Sequence, residues 1–136
     1  RMGCKEGEKA GKPILVYEGG ESLRFDEFAI REGILGTLRL MHHLGMKEKS
    51  ETPPADPDSV RLFGRSTWIR ARNSGTFRSF IANGAKVKTR ELLGCIADPY
   101  GGENFNIRAH MSGYVIAVNS LPVVHQGDAL IHLGVD

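Results

Sequence analysis

The sequence is poor in cysteine and in long apolar runs, and each shortage excludes a class of protein. Two cysteines in 136 residues, Cys4 and Cys95, cannot form the disulfide framework that stabilises small secreted domains. No apolar run approaches the about 20 residues of a membrane helix, and no segment resembles a signal peptide. The sequence therefore predicts no membrane partner and is compatible with the reducing cytoplasm.

A dominant charge is also absent. Lysine and arginine number 18 against 16 acidic residues, which gives a net charge of +2 spread along the chain. A nucleic-acid-binding domain would need a basic face or stripe, so we expect no nucleic-acid partner. The 40% of hydrophobic residues is typical of a globular protein.

Residues 1–46 have the pattern of an α/β layer. The apolar run Pro13–Tyr17 lacks alternation, which favours a strand buried on both faces. A helix over 26–45 follows, with Asp26 as its cap and Gly45 as its stop. Its apolar residues recur at helical spacing, namely Ile30, Ile34, Leu35, Leu38, Met41 and Leu44. The rest of such a sheet is not in this chain, so we expect the helix to pack on the β domain that follows it or on a second copy of the chain.

Residues 47–58 are polar and rich in proline, which predicts a linker. Residues 59–136 are rich in β-formers and contain an internal repeat. Ile69–Phe77 and Ile107–Val115 both read Ile-Arg-Ala-x-x-Ser-Gly followed by β-forming residues. Two copies of one short-strand unit predict two interlocked halves of a flattened sandwich.

The later part of each copy also matches. We align the turn Asn83–Ala85 with the turn His125–Asp128, and the closing strand Leu92–Ile96 with Ala129–Leu133. The whole pattern resembles the biotinyl/lipoyl carrier fold, a barrel-sandwich hybrid or flattened β-barrel. Carriers of that fold display a modified lysine on the hairpin between the halves, but Ala97–Asn104 contains no lysine. A carrier function is therefore disfavoured although the scaffold matches.

Glu18 is the residue most suggestive of chemistry. It follows the predicted strand directly and precedes Gly19 and Gly20. Active sites of α/β proteins are commonly built at the carboxyl ends of strands, so a catalytic carboxylate is one interpretation. A solvated loop acid is the other. The two glycines alone do not have the spacing of a nucleotide-binding loop.

The histidines do not form a metal-binding pattern. They are His42, His43, His110, His125 and His132, and none belongs to a His-x-x-Glu or His-Glu-x-x-His motif. His42 and His43 are adjacent on the predicted helix, about 100° apart, and cannot converge on one ion. His132 lies in the closing strand and is expected to be half-buried. We predict no metal ligand in this chain.

A family resemblance rests on the order of several motifs rather than on one of them. The segment Tyr17–Asp26, the helix ending at Met46, and the repeats up to the segment Gly127–Leu130 together resemble the C-terminal part of succinylglutamate desuccinylase/aspartoacylase family proteins. The resemblance implies a carboxypeptidase-like zinc domain that hydrolyses an N-acyl amino acid or a similar small amide. By motif position, Glu18 would be the general base and acid. The zinc ligands would lie outside this chain, which we expect to be inactive alone.

The predicted fold is thus mainly β, a barrel-sandwich hybrid over 59–136, preceded by a strand–helix remnant of an α/β catalytic domain. Two other functions remain open: a non-catalytic β module that covers an active site or forms an oligomer, and a carrier-like module without the lysine. Arg24, Arg31 and Tyr100 could contact a substrate, but each also suits a solvent-exposed position. We further expect a homo-oligomer.

Overall fold

The computed structural model describes residues 7–21, 23–48 and 60–135. The chain divides into two compact units, residues 1–59 and 60–136. Cys4 and most of the predicted linker, from residue 49 onward, lie outside the described residues. In the described part, no helix is long and apolar enough to cross a membrane.

The first unit contains helix α1 (Glu27–His43), which confirms the predicted helix to within two residues at each end. Asp26 caps it, because the Asp26 side chain accepts a hydrogen bond of 3.0 Å from the backbone N–H of Ala29. The helix ends at Gly45, whose φ of 70° is the left-handed conformation that glycine adopts without strain. The N–H groups of Gly45 and Met46 donate to the carbonyls of His42 and Met41, which completes a Schellman motif.

The segment before α1 differs from its prediction. Residues 12–19 belong to no strand in the structure, and Leu15 and Val16 are 78% and 62% exposed rather than buried. The prediction of a buried strand over Pro13–Tyr17 is therefore wrong for the chain as described. A strand needs a neighbour that accepts its backbone hydrogen bonds and covers its side chains, and the described residues provide none here.

The second unit is built of eight strands in two antiparallel sheets. The strands are β1 (Arg65–Arg70), β2 (Gly75–Ser79), β3 (Lys86–Val87), β4 (Leu92–Ala97), β5 (Asn104–Arg108), β6 (Gly113–Val118), β7 (Val123–Val124) and β8 (Ala129–Val135). One sheet has the order β1-β8-β6-β3 and the other β5-β4-β2-β7. This confirms the mainly β prediction. The described strands form two open sheets and no closed barrel.

The two sheets have the same internal order, which makes the sequence repeat visible in the topology. Replacing β1, β8, β6 and β3 by their repeat equivalents β5, β4, β2 and β7 converts one sheet order into the other. Each sheet therefore takes two strands from each half, and the halves interlock. Ile69 and Ile107 hold equivalent places near the ends of β1 and β5 and are both buried.

The alignment of the turns needs a correction. The hydrogen bonds show that Lys88–Glu91, not Asn83–Ala85, is equivalent to His125–Asp128. In each turn an acidic side chain accepts from the N–H three residues earlier, Glu91 from Lys88 at 2.7 Å and Asp128 from His125 at 2.8 Å. The sequence signal for the correct alignment is the acidic residue at the fourth position of each turn. The Asn83-Gly84 pair belongs to a different turn.

The hydrophobic core lies between residues 69 and 133. Leu93, Leu130 and Leu133 are fully buried, with valines, isoleucines and Phe77 around them. No charged or polar residue of the described part is buried, so this core is uniformly apolar. Cys95 is half-buried on β4 and is a free thiol. His132 is half-buried on β8, as predicted.

Candidate functional site

Tyr17 fixes the segment that carries Glu18 against α1. The Tyr17 hydroxyl donates a hydrogen bond of 2.5 Å to the carbonyl of Ala29 in the first turns of the helix. A Cβ atom at Gly33 would lie 2.8 Å from the Tyr17 ring, and one at Gly19 would lie 2.5 Å from its hydroxyl oxygen. Both glycines therefore leave room for the tyrosine. The sequence pattern does not indicate this role of Tyr17, because the contact joins residues that are twelve positions apart.

A small pocket of about 140 Å³ lies beside the N-terminus of α1. Its lining includes Tyr17, Gly20, Arg24 and Asp26. Gly20 has a φ of 83°, which turns the chain between Tyr17 and the helix cap in a conformation that suits glycine. The polar loop and the helix start are thus brought together within one unit.

Glu18 lies next to this pocket in the chain but is not among its lining residues. Its side chain is exposed, and it takes part in no hydrogen bond or ion pair among the described residues. A carboxylate in that state can accept a proton or a hydrogen bond from a bound group.

The other residues singled out in the sequence do not gather around Glu18. Arg24 pairs with Glu21 at 3.7 Å on the surface, and Arg31 is an exposed residue of α1. Tyr100 lies in the second unit, in the hairpin between β4 and β5, and is 96% exposed. The loop of that hairpin, residues 98–103, contains no lysine.

No group of three or more histidine, cysteine, aspartate or glutamate side chains that could hold a metal ion exists in the described ranges. His42 contacts the carbonyl of Lys47 through Nδ1 at 3.1 Å, and His132 stacks on Trp68 with ring centroids 4.3 Å apart. His43, His110 and His125 are exposed. The described residues therefore do not fit a zinc ion.

An apolar groove of about 410 Å³ runs along α1. Tyr17 and the predicted apolar residues Ile30, Ile34 and Leu38 line it. Ala29 is the only buried hydrophobic residue of this helix, so most of its apolar face remains open within the first unit. Such a face normally packs against another element.

No protein-family model matches the chain, and no curated protein matches it closely enough to report. Solved structures do match its fold. The product-bound ectoine utilization protein EutE (DoeB) from Ruegeria pomeroyi is 20% identical, with a TM-score of 0.79 over 97% of this chain and 41% of its own. A succinylglutamate desuccinylase from Silicibacter sp. TM1040 is 21% identical, with a TM-score of 0.75 over 94% of this chain and 39% of its own.

A succinylglutamate desuccinylase/aspartoacylase from Rhodobacter sphaeroides is 20% identical, with a TM-score of 0.67 over 83% of this chain and 37% of its own. The chain spans about two-fifths of the length of the first of these solved structures. Identities this low establish likeness of fold. The chain has the fold of part of succinylglutamate desuccinylase/aspartoacylase family proteins, as its sequence motifs indicate.

Proposed function

We propose that this chain is the C-terminal part of a zinc-dependent hydrolase that cleaves the amide bond of an N-acyl amino acid or a similar small amide. The observation that carries the proposal is the shared fold over 97% of the chain, at a TM-score of 0.79. That likeness extends across both units, so it includes the segment of Glu18 as well as the β sheets. The names of several of the similar structures supply the reaction class.

Features of the first unit support the same proposal. Residues 12–19 have exposed apolar side chains and no strand partner among the described residues, and the groove along α1 is apolar and open. An α/β sheet packed on this unit would provide backbone partners for the segment and cover for the helix. We propose that the remainder of a catalytic domain provides that sheet.

Within this proposal Glu18 is the general base and acid. An exposed carboxylate can take the proton from the water that attacks the amide carbonyl and pass it to the leaving amine. We place the zinc ligands outside the described residues, since these do not form a metal site. The 136-residue chain alone is then expected to be inactive.

Three further expectations belong to the proposal. We propose that the second unit is a barrel-sandwich hybrid, because its two sheets exchange strands between repeat halves. A cytoplasmic location agrees with the scarcity of cysteine. The protein is expected to be a homo-oligomer, which sedimentation analysis would check; a monomer at all concentrations would contradict that part.

A second candidate function is a non-catalytic β module. The exposed hairpin between β4 and β5, with Tyr100 at its tip, favours it, because such a loop can reach a neighbouring active site. Under this alternative the second unit would cover the active site or mediate assembly. Deleting the hairpin would then change KM or oligomeric state and leave the chemical step intact.

The deciding experiment measures zinc content and hydrolysis of several N-acyl amino acids, for this chain and for the longer protein. An active, zinc-loaded longer protein beside a zinc-free, inactive chain would support the proposal. Stoichiometric zinc or turnover in the 136-residue chain would overturn the placement of the ligands. Absence of hydrolysis by the longer protein on every N-acyl amino acid tested would overturn the activity.

A further inference from the structure

The second unit contains a cleft of about 520 Å³ that the proposed function does not use. All its lining residues come from two segments, 68–72 and 106–110. These segments hold equivalent positions in the two halves of the repeat, at the ends of β1 and β5. The cleft is therefore lined by both halves, and its two sides share the Ile-Arg pair of the repeat, whereas Trp68 and Arg72 correspond to Asn106 and His110.

The charge of this cleft is entirely positive. Arg70, Arg72 and Arg108 line it, and no aspartate or glutamate does. Ion pairs of the described residues join Glu21 to Arg24 and Glu32 to Arg39, so none involves the three cleft arginines. Three arginines line this cleft with no carboxylate among its lining residues, so an anion bound in it would meet positive side chains and no repelling charge.

Two of these arginines are held in place by matching hydrogen bonds. Arg70 donates through Nη1 to the carbonyl of Gly127 at 2.9 Å, and Arg108 donates through Nη1 to the carbonyl of Arg90 at 3.1 Å. A guanidinium group has five N–H donors, so each arginine retains donors for a ligand.

The turns that carry those carbonyls are themselves fixed to the cleft walls. The N–H of Gly127 donates to Ala71 at 2.9 Å, and the N–H of Arg90 donates to Ala109 at 2.7 Å. The two guanidinium groups are therefore oriented before any ligand binds, which lowers the conformational entropy that binding would cost.

The rest of the cleft is lined by apolar and aromatic residues together with the polar residues Asn106 and His110. The buried side chains of Ile69 and Ile107 contribute to it, and Trp68 is 39% exposed at its wall. The Trp68 ring is stacked on His132 with an angle of 7° between the planes. An apolar wall next to charged groups lowers the local dielectric and strengthens their attraction for an anion.

We propose that this cleft binds a small oxyanion that carries at least two negative charges. Two equivalent, planar guanidinium groups suit a ligand with two carboxylate or phosphate groups, each of which can accept a forked pair of hydrogen bonds. The volume lies in the range of roughly 300–1,000 Å³ that is common for small-molecule sites. The inference goes beyond the proposed hydrolase activity and does not depend on it.

Trp68 allows a direct test, because it is the only tryptophan of the chain and it lines the cleft. The 136-residue chain is titrated with citrate and, separately, with pyrophosphate, while its fluorescence and heat of binding are recorded. Sodium chloride at matched ionic strength controls for screening. Saturable binding of either anion at one site per chain is expected; citrate alone would assign carboxylates, and pyrophosphate alone phosphates.

Variants then locate the site. The Arg72 side chain makes no hydrogen bond to a described residue, unlike those of Arg70 and Arg108. We expect Arg72→Gln, which removes its charge, to raise the Kd of the anion about tenfold. Arg108→Gln should weaken binding similarly. Arg65→Gln removes the same charge from β1 outside the cleft and should change Kd by less than about twofold. Thermal melts confirm that each variant is folded.

Two results would overturn the proposal. One is a fluorescence change that follows ionic strength alone and is the same for chloride, citrate and pyrophosphate. The other is saturable binding that Arg65→Gln weakens as much as Arg72→Gln does, since the anion would then respond to net charge and not to the cleft.

Discussion

Glu18 and Tyr17 are neighbours in the chain with opposite roles. The Tyr17 hydroxyl and ring are fixed on α1 through Ala29 and Gly33, whereas the Glu18 carboxylate is exposed. The hydrogen bond of Tyr17 restricts the backbone next to Glu18, while the carboxylate oxygens of Glu18 remain accessible. This combination suits a group that must accept a proton from a bound molecule.

The first prediction follows from that role. Glu18→Gln in the longer protein should lower kcat/KM by about 10²- to 10⁴-fold, because glutamine cannot take a proton from water. Zinc content should not change, since Glu18 is not proposed as a ligand. Steady-state kinetics and metal analysis measure the two effects.

The matched control is Glu21→Gln, which removes a nearby carboxylate that is paired with Arg24 on the surface at 3.7 Å. It should leave kcat/KM within about twofold, as expected for an exposed ion pair. Full activity in Glu18→Gln would contradict the assignment of Glu18.

At this scale the sequence is informative where a residue acts through its neighbours in the chain. Asp26 and Gly45 were recognised because a helix cap and a helix stop are local features. The cleft arginines Arg70 and Arg108 were not recognised as a site, because 38 positions separate them in the sequence. The signal was present as an arginine in the same place of each repeat.

The N-cap of α1 gives the second prediction, at the scale of the element. Asp26→Ala removes the acceptor of the Ala29 N–H and should cost about 1 kcal/mol of helix stability. Amide exchange at Ala29 should then be about fivefold faster, which NMR can measure. Asp26→Asn retains an oxygen acceptor and should change exchange much less. Equal exchange in the Asp26→Ala and unaltered chains would contradict the cap.

The pairing of β2 with β4 gives the third prediction. Gly94 lies opposite Ser79, and a Cβ atom there would lie 2.5 Å from the backbone carbonyl of Arg78 and 3.1 Å from the Phe77 ring. Because a paired strand cannot move easily, Gly94→Ala should lower the free energy of unfolding by about 1–3 kcal/mol. Chemical denaturation measures the loss.

Gly64→Ala is the control for that substitution. A Cβ atom at Gly64 would meet no heavy atom within 4 Å, so its stability should stay within about 0.5 kcal/mol of the unaltered chain. If the two variants were equally stable, the close approach of β4 to β2 would be contradicted.

The elements divide into those that local sequence determines and those that need a partner. Helix α1 forms as expected because the residues that cap it are local in sequence. The strands of the repeat form as expected because their apolar residues are buried in the core of their own unit. Pro13–Tyr17 has the composition of a buried strand, but the described residues supply no neighbouring strand. The alignment of the turn Asn83–Ala85 with His125–Asp128 is wrong, because the hydrogen bonds make Lys88–Glu91 the equivalent turn.

At the scale of the whole molecule, stability is distributed unequally between the two units. The connected core cluster consists only of residues between 69 and 133, whereas Ala29 is the single buried hydrophobic residue described in the first unit. Burial of apolar surface is the main favourable term in folding. The second unit therefore has a core of its own, whereas the described residues of the first unit form none.

The fourth prediction tests this division. A chain of residues 60–136 should unfold in one cooperative transition by urea or heat, because it retains both sheets and the whole core. A chain of residues 1–59 should show no cooperative transition, because its helix lacks apolar cover. Circular dichroism at 222 nm and near-UV wavelengths measures both. If residues 60–136 did not fold in the absence of residues 1–59, the core of the second unit would depend on contacts with the first unit. The inference that the second unit folds independently would then be wrong.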